Sequence, residues 1–209
     1  MSRGPMRLLE VLKELAKQRA IGPSPSFNEV HLFKAMEMLG KGPIGRHKLS
    51  QELRLGEGSA RTLIEHLQAA GIVGTSKMGC MLTRKGLALI DELKLKVGSK
   101  AKIPKSSLAF STYNYGILIK KARSRVSHGL EQRDAAVRAG AAGATTLVFK
   151  NGRLVVPPVD EAVAGREVEE IAGLLRIFHP EEDDVIVISG SEIEDEAETG
   201  AFAAALTLL

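Results

Sequence analysis

Residues 59–73 read SARTLIEHLQAAGIV, and residues 82–86 read LTRKG. In the first run Ala60, Leu63, Ile64 and Leu67 recur at the spacing of one helix face. Gly71 closes that helix, as a residue just past a helix end often does. The positions left outward are Gly58, Thr62 and Glu65, flanked by Arg61 and His66. Residues 72–76 and 80–83 then read as two short strands around Lys77, Met78 and Gly79. Thr83 caps a further helix in which Gly86, Leu89, Ile90 and Leu93 share a face.

Upstream, Arg46 to Leu53 reads as a short helix with Leu49 and Leu53 inward, and residues 54–58 as a turn. Ser26 can cap an earlier helix, with Glu29 as its capping-box partner and Leu32, Ala35, Met36 and Leu39 as its stripe. Gly40, Gly42 and Pro43 break it. A first helix is expected from Pro5 to Arg19, with Leu8, Val11, Leu12 and Leu15 on one side, before a turn at residues 22–26. That stripe must be buried in its own domain or against a second copy of the chain.

From residue 28 to 96 the order is helix, helix, turn, helix, hairpin, helix. With the two runs quoted above, this resembles the winged helix-turn-helix transcription regulators of bacteria and archaea. The resemblance implies that residues 59–70 are the recognition helix and that LTRKG closes the wing. It covers about a third of the chain.

The residue types fit that role. A helix fits the major groove and must present a short polar face there. Arg61 is the expected base reader, because a guanidinium matches guanine O6 and N7 bidentately. Ser59 and Thr62 can bond phosphate or base edges, and Glu65 can accept from cytosine N4. Arg46, His47 and Lys48 open the preceding helix and can hold the backbone. Lys77 sits at the wing tip, and Arg84 and Lys85 follow the wing. Phosphate contacts of this kind give affinity and register but no sequence preference. His66 reads better as a packed residue than as a reader.

Charge divides along the chain. Residues 1–153 hold 27 Lys and Arg against 11 Asp and Glu, whereas residues 154–209 hold 2 against 14. A polyanion partner is therefore expected for the first part only. Aromatic residues are 4% with no Trp, which disfavours base-stacking platforms for single strands.

Residues 97–107, rich in Lys, Ser and Gly, read as a linker, giving domains at 1–98 and 108–209. The second half reads as a strand (108–119), a small-residue helix (130–139), and a hairpin turning at Asn151 and Gly152 that Pro157 and Pro158 stop. A helix (166–176), a buried strand (184–188) and a final helix (192–208) follow. The class is α+β, with helices on one face of a mainly antiparallel sheet, in a ferredoxin-like βαββαβ or a GAD-like ββαββα order. The runs GAAGATTLVFKNG at 140–152 and DVIVISGSE at 184–192 resemble a family of archaeal proteins. Its members join an N-terminal winged helix to a small C-terminal domain, without an established activity.

No HExxH, GxxxxGK[ST], GxSxG or Rossmann glycine run is present, and the five His residues lack metal-ligand spacing. No enzyme, metal or cofactor is expected. One Cys, Cys80, excludes an intramolecular disulfide. Neither a membrane span nor a secretory leader is read, so a cytoplasmic location is expected. The residues after Ser189 open a helix, but their carboxylates favour a dipole role over a ligand. The expected function is a homodimeric regulator on double-stranded DNA, whose C-terminal domain dimerises or senses a small molecule. The alternatives are a protein-interaction scaffold, or an enzyme or RNA-processing factor with a winged-helix accessory. The N-terminal stripe is the expected dimer contact.

Overall fold

The computed structural model describes residues 8–16, 26–157 and 168–209. The ends expected at Pro5 and Arg19, the turn at 22–25, Pro158 and the helix start at Arg166 lie outside them. The chain divides into two compact units, Met1–Lys94 and Leu95–Leu209.

In the first unit α1 (Leu8–Ala16), α2 (Glu29–Leu39), α3 (Arg46–Glu52) and α4 (Glu57–Ala69) precede the hairpin β1 (Val73–Ser76) and β2 (Gly79–Leu82); α5 (Arg84–Lys96) follows. This is the winged helix-turn-helix order. Asn28, not Ser26, caps α2: its side-chain oxygen accepts from the backbone N–H of Val30 and His31, and His31 Nδ1 accepts from the Asn28 N–H. Asn28 directly precedes the first turn, whereas Ser26 lies too far out. Ile44, which follows the break at Gly40, Gly42 and Pro43, bridges Cys80 in both directions at 2.9 Å and adds a third short strand to the wing.

The LTRKG run has a mechanical role. Thr83 Oγ1 donates to Gly71 O at 2.6 Å and accepts from the Gly86 N–H, so one hydroxyl caps α5 and clamps the end of α4. A Cβ at Gly86 would stand 2.3 Å from Ile72 O, so only glycine lets α5 close on that strand.

The α1 stripe is core. Val11, Leu12 and Leu15 are buried, and Leu15 O accepts from Nδ1 of the buried His66 at 2.8 Å. The expectation that this stripe joins two copies is therefore corrected. It packs inside its own unit, although the side chain of Leu8 lies outside the described residues.

The second unit holds β3 (Val97–Lys102), β4 (Tyr113–Ile119), α6 (Leu130–Arg138), β5 (Gly143–Lys150), β6 (Arg153–Val155), α7 (Val168–Phe178), β7 (Val185–Ser191) and α8 (Glu194–Leu206). The sheet runs β3-β4-β7-β5-β6, and every pair is antiparallel. The expected linker thus begins with a strand. Lys100 and Lys102 gave it a linker's composition, but lysines are also how an open sheet edge is kept from pairing.

The βαββαβ run is present from β4 to β7. Its first and third strands, β4 and β6, do not pair, so the sheet is not ferredoxin-like; β3 adds a leading strand from the expected linker, not from a bend within 108–119, and the whole order is ββαββαβα. Layering also differs from one-sided packing. Leu174 and Phe178 of α7 pack on the face of Leu118, Leu147 and Ile186. Helices α6 and α8 cover the other face, burying Ala136, Ala197, Ala201 and Ala204. Asn151 and Gly152 are both left-handed, as a two-residue hairpin turn requires.

Candidate nucleic-acid interface

Helix α4 starts at Glu57, two residues before the expected Ser59, with Gly56 as N-cap. The α3–α4 turn is held by buried Ser50, whose hydroxyl donates to Leu55 O at 2.7 Å. Ala60, Leu63, Ile64 and Leu67 are buried as read, which leaves Glu57, Gly58, Arg61 and Glu65 exposed along one line. Arg61 Nε donates to Glu65 Oε1 at 2.9 Å, one turn away. Thr62 is half-buried and its hydroxyl donates back to Gly58 O at 3.1 Å, so toward a partner it can only accept. Ser59 is half-buried beside it.

A concavity of about 480 Å³ opens between α4 and the wing. Its walls include Arg61, Glu65 and Gln68 from α4, Arg46 from α3, and Thr75 and Ser76 from β1. The structure thus brings Arg46 and Arg61 to one site. Gln68, Thr75 and Ser76 were missed in sequence, although Gln68 lies seven residues after Arg61 and so shares its face. The wing tip is braced by its own hydrogen bonds. Ser76 Oγ accepts from the Met78 N–H and donates to Gly79 O, both at 3.1 Å. Gly79 has φ +115°, and a Cβ there would meet Ile44 O at 2.5 Å, so the tip rests on the bridge strand. Lys77 and Met78 stand exposed at its end.

The other expected contacts are dispersed. His47 and Lys48 are exposed on α3, and His47 Nδ1 lies 3.1 Å from Glu57 Oε1. Arg84 is exposed, but Lys85 Nζ donates to Ala70 O at 2.8 Å and so caps the C-terminal end of α4. His66 is packed, edge-on to Phe27 with ring centroids 5.3 Å apart. Cys80 is a buried part of the concavity's wall, and that burial raises its thiol pKa against the opposing pull of Arg46.

In the second unit the acidic residues after Ser189 serve local bonds. The hydroxyl of Thr112 donates to Glu192 at 2.5 Å and holds that carboxyl below its ordinary range. Glu194 pairs with Lys102, and Glu196 accepts from Ser191 Oγ at 2.6 Å. Among the described residues no group of three or more His, Cys, Asp or Glu could hold a metal ion, and no helix is long and apolar enough to cross a membrane.

The first unit is of the winged-helix class by its element order, and comparison with known proteins extends the likeness to the second. Residues 33–88 match the family "PH0730-like, N-terminal domain", and residues 110–208 match the "Domain of unknown function (DUF4443)". The chain is similar to the solved structure of "Hypothetical protein PH0730 from Pyrococcus horikoshii OT3". The identity is 25% and the TM-score 0.67, over 88% of this chain and 93% of that one. Together these matches support an archaeal-like two-domain family to which no activity is attached. No curated protein matches the chain.

Proposed function

We propose that this protein is a transcriptional regulator that binds double-stranded DNA through α4 and the wing. The observation that carries the reading is the concavity that joins Arg46, Arg61, Gln68, Thr75 and Ser76 beneath an exposed lysine tip. A duplex laid there receives α4 in its major groove, with Arg61 toward a base edge. The Arg61–Glu65 pair does not oppose this. An exposed pair one turn apart is worth only about 0.3–0.5 kcal/mol, against about 1–3 kcal/mol for a bidentate guanine contact. Arg46, His47, Lys48, Lys77 and Arg84 then hold the backbone, while Ser59 and Thr62 offer hydroxyl oxygens. Symmetric sites are read by symmetric dimers, so a homodimer remains part of the proposal, with its contact elsewhere than on α1.

The test is capture of sheared genomic DNA by the purified protein, followed by sequencing. An enriched inverted repeat is the expected result. Arg61→Ala is expected to lose about 1–3 kcal/mol on that site and to relax one base pair. A variant that binds the site and random DNA as the parent does would remove Arg61 as a reader. The exposed Met78 and Met81 on the wing favour the scaffold as the second reading. It gains if no DNA is enriched.

A further inference from the structure

The second unit contains a cavity of about 560 Å³ that shares no residue with the nucleic-acid interface described above. Ligand sites run from about 300 to 1,000 Å³. Its floor is aliphatic: Val148 and Val155, which face each other across the β5–β6 hairpin, with Val126 and Pro157. Its rim is charged in both signs, with Lys121 and Arg123 from the segment after β4 and Asp183 from the segment before β7. Ser124 and Ser127 add hydroxyls.

The rim is built, not incidental. Buried Asp184 accepts from the backbone N–H of Lys121 and of Glu181, both at 2.9 Å, and so ties the two rim segments together. The Arg123 N–H donates to Asp183 O at 3.1 Å across the same seam. Lys121 and Asp183 both hold left-handed backbone, with φ 50° and 68°. Side chains other than glycine seldom adopt it, and such strain gathers where a ligand is clamped.

The charges decide the ligand class. Lys121 Nζ donates to Glu182 O at 2.7 Å and lies 3.8 Å from Glu181 Oε2, so its charge is already balanced and the task of binding an anion falls to Arg123. Arg123 Nη1 stands 3.5 Å from Asp183 Oδ1, and both side chains are about half exposed (44% and 47%). A rim with one acid beside one guanidinium is ill suited to a phosphate, which Asp183 would repel. It suits a molecule that carries both signs on one carbon. A carboxylate takes the guanidinium fork, and an ammonium takes Asp183. Among the described residues the valine and proline floor holds no aromatic ring to stack, so it suits an aliphatic tail.

We infer that this cavity binds a small zwitterion with an aliphatic side chain, an α-amino acid. The inference goes beyond DNA binding and does not depend on it, because the readout is on the free protein. The experiment is calorimetric titration of the full chain with L-leucine, with 4-methylpentanoate (no ammonium) and with 3-methylbutylamine (no carboxylate). L-leucine is expected to bind with a Kd below about 1 mM, and the other two at least about tenfold more weakly. Arg123→Gln and Asp183→Asn are each expected to weaken L-leucine about tenfold or more; asparagine tolerates the left-handed backbone, so that variant keeps the fold. Unchanged thermal melting of both variants separates lost binding from lost structure. No heat with L-leucine at about 10 mM would overturn the inference. So would leucine binding that neither variant changes, or 4-methylpentanoate binding as tightly as L-leucine in the parent.

Discussion

Leu12→Glu is expected to unfold the first unit. Leu12 is 0% exposed, between Val11 and Leu15 on a stripe that lies inside the unit. Truncating such a leucine costs about 2–5 kcal/mol, and placing a carboxylate there adds the desolvation of a charge without a partner. A loss above about 4 kcal/mol is comparable to the whole stability of a small domain, about 5–15 kcal/mol. In a domain of this size each kcal/mol moves the midpoint by about 4–8 °C, so the first unit's melting transition is expected to fall by about 20 °C or to vanish. Circular dichroism on heating checks this. A variant that melts like the parent and changes only its sedimentation would restore the stripe as a contact between copies.

The second large effect falls on Asp184→Ala. This carboxylate is 2% exposed and accepts two backbone N–H groups from separate segments. Hydrogen bonds to a charged acceptor are worth about 1.5–3 kcal/mol each, and the two N–H groups would be left without a partner. A loss of about 3 kcal/mol or more in the second unit is expected, with Asp184→Asn recovering part of it. Calorimetric melting of the three proteins measures it, and equal midpoints would show that the two segments are held by other means.

The first unit was more legible in sequence than the second. The stripe of Ala60, Leu63, Ile64 and Leu67 and the LTRKG run place α4, the wing and α5, because helix period and turn chemistry are local. Ile44 was not legible: a one-residue strand has no period, and it lies beside Gly42 and Pro43, which read as a break. The partner of α1 was not legible either. The spacing of Val11, Leu12 and Leu15 shows that a surface must cover them, not whose. For the interface, Arg46 and Arg61 were found by residue type, whereas Thr75 and Ser76 enter only when the wing folds back against α4. In the second unit β3 was hidden by its lysines. The 560 Å³ cavity joins residues 121–127 to residue 183, a juxtaposition made by the β4–β7 pairing and invisible to any local pattern.

The central claim is that α4 and the wing grip duplex DNA. Fluorescence anisotropy of an enriched duplex, titrated with parent, Arg46→Ala and Lys77→Ala proteins over a series of salt concentrations, tests it most directly. Each released phosphate contact is expected to lower the slope of log K against log salt by about 1, with affinity for all sequences reduced alike. Slopes and affinities identical to the parent in both variants would contradict it.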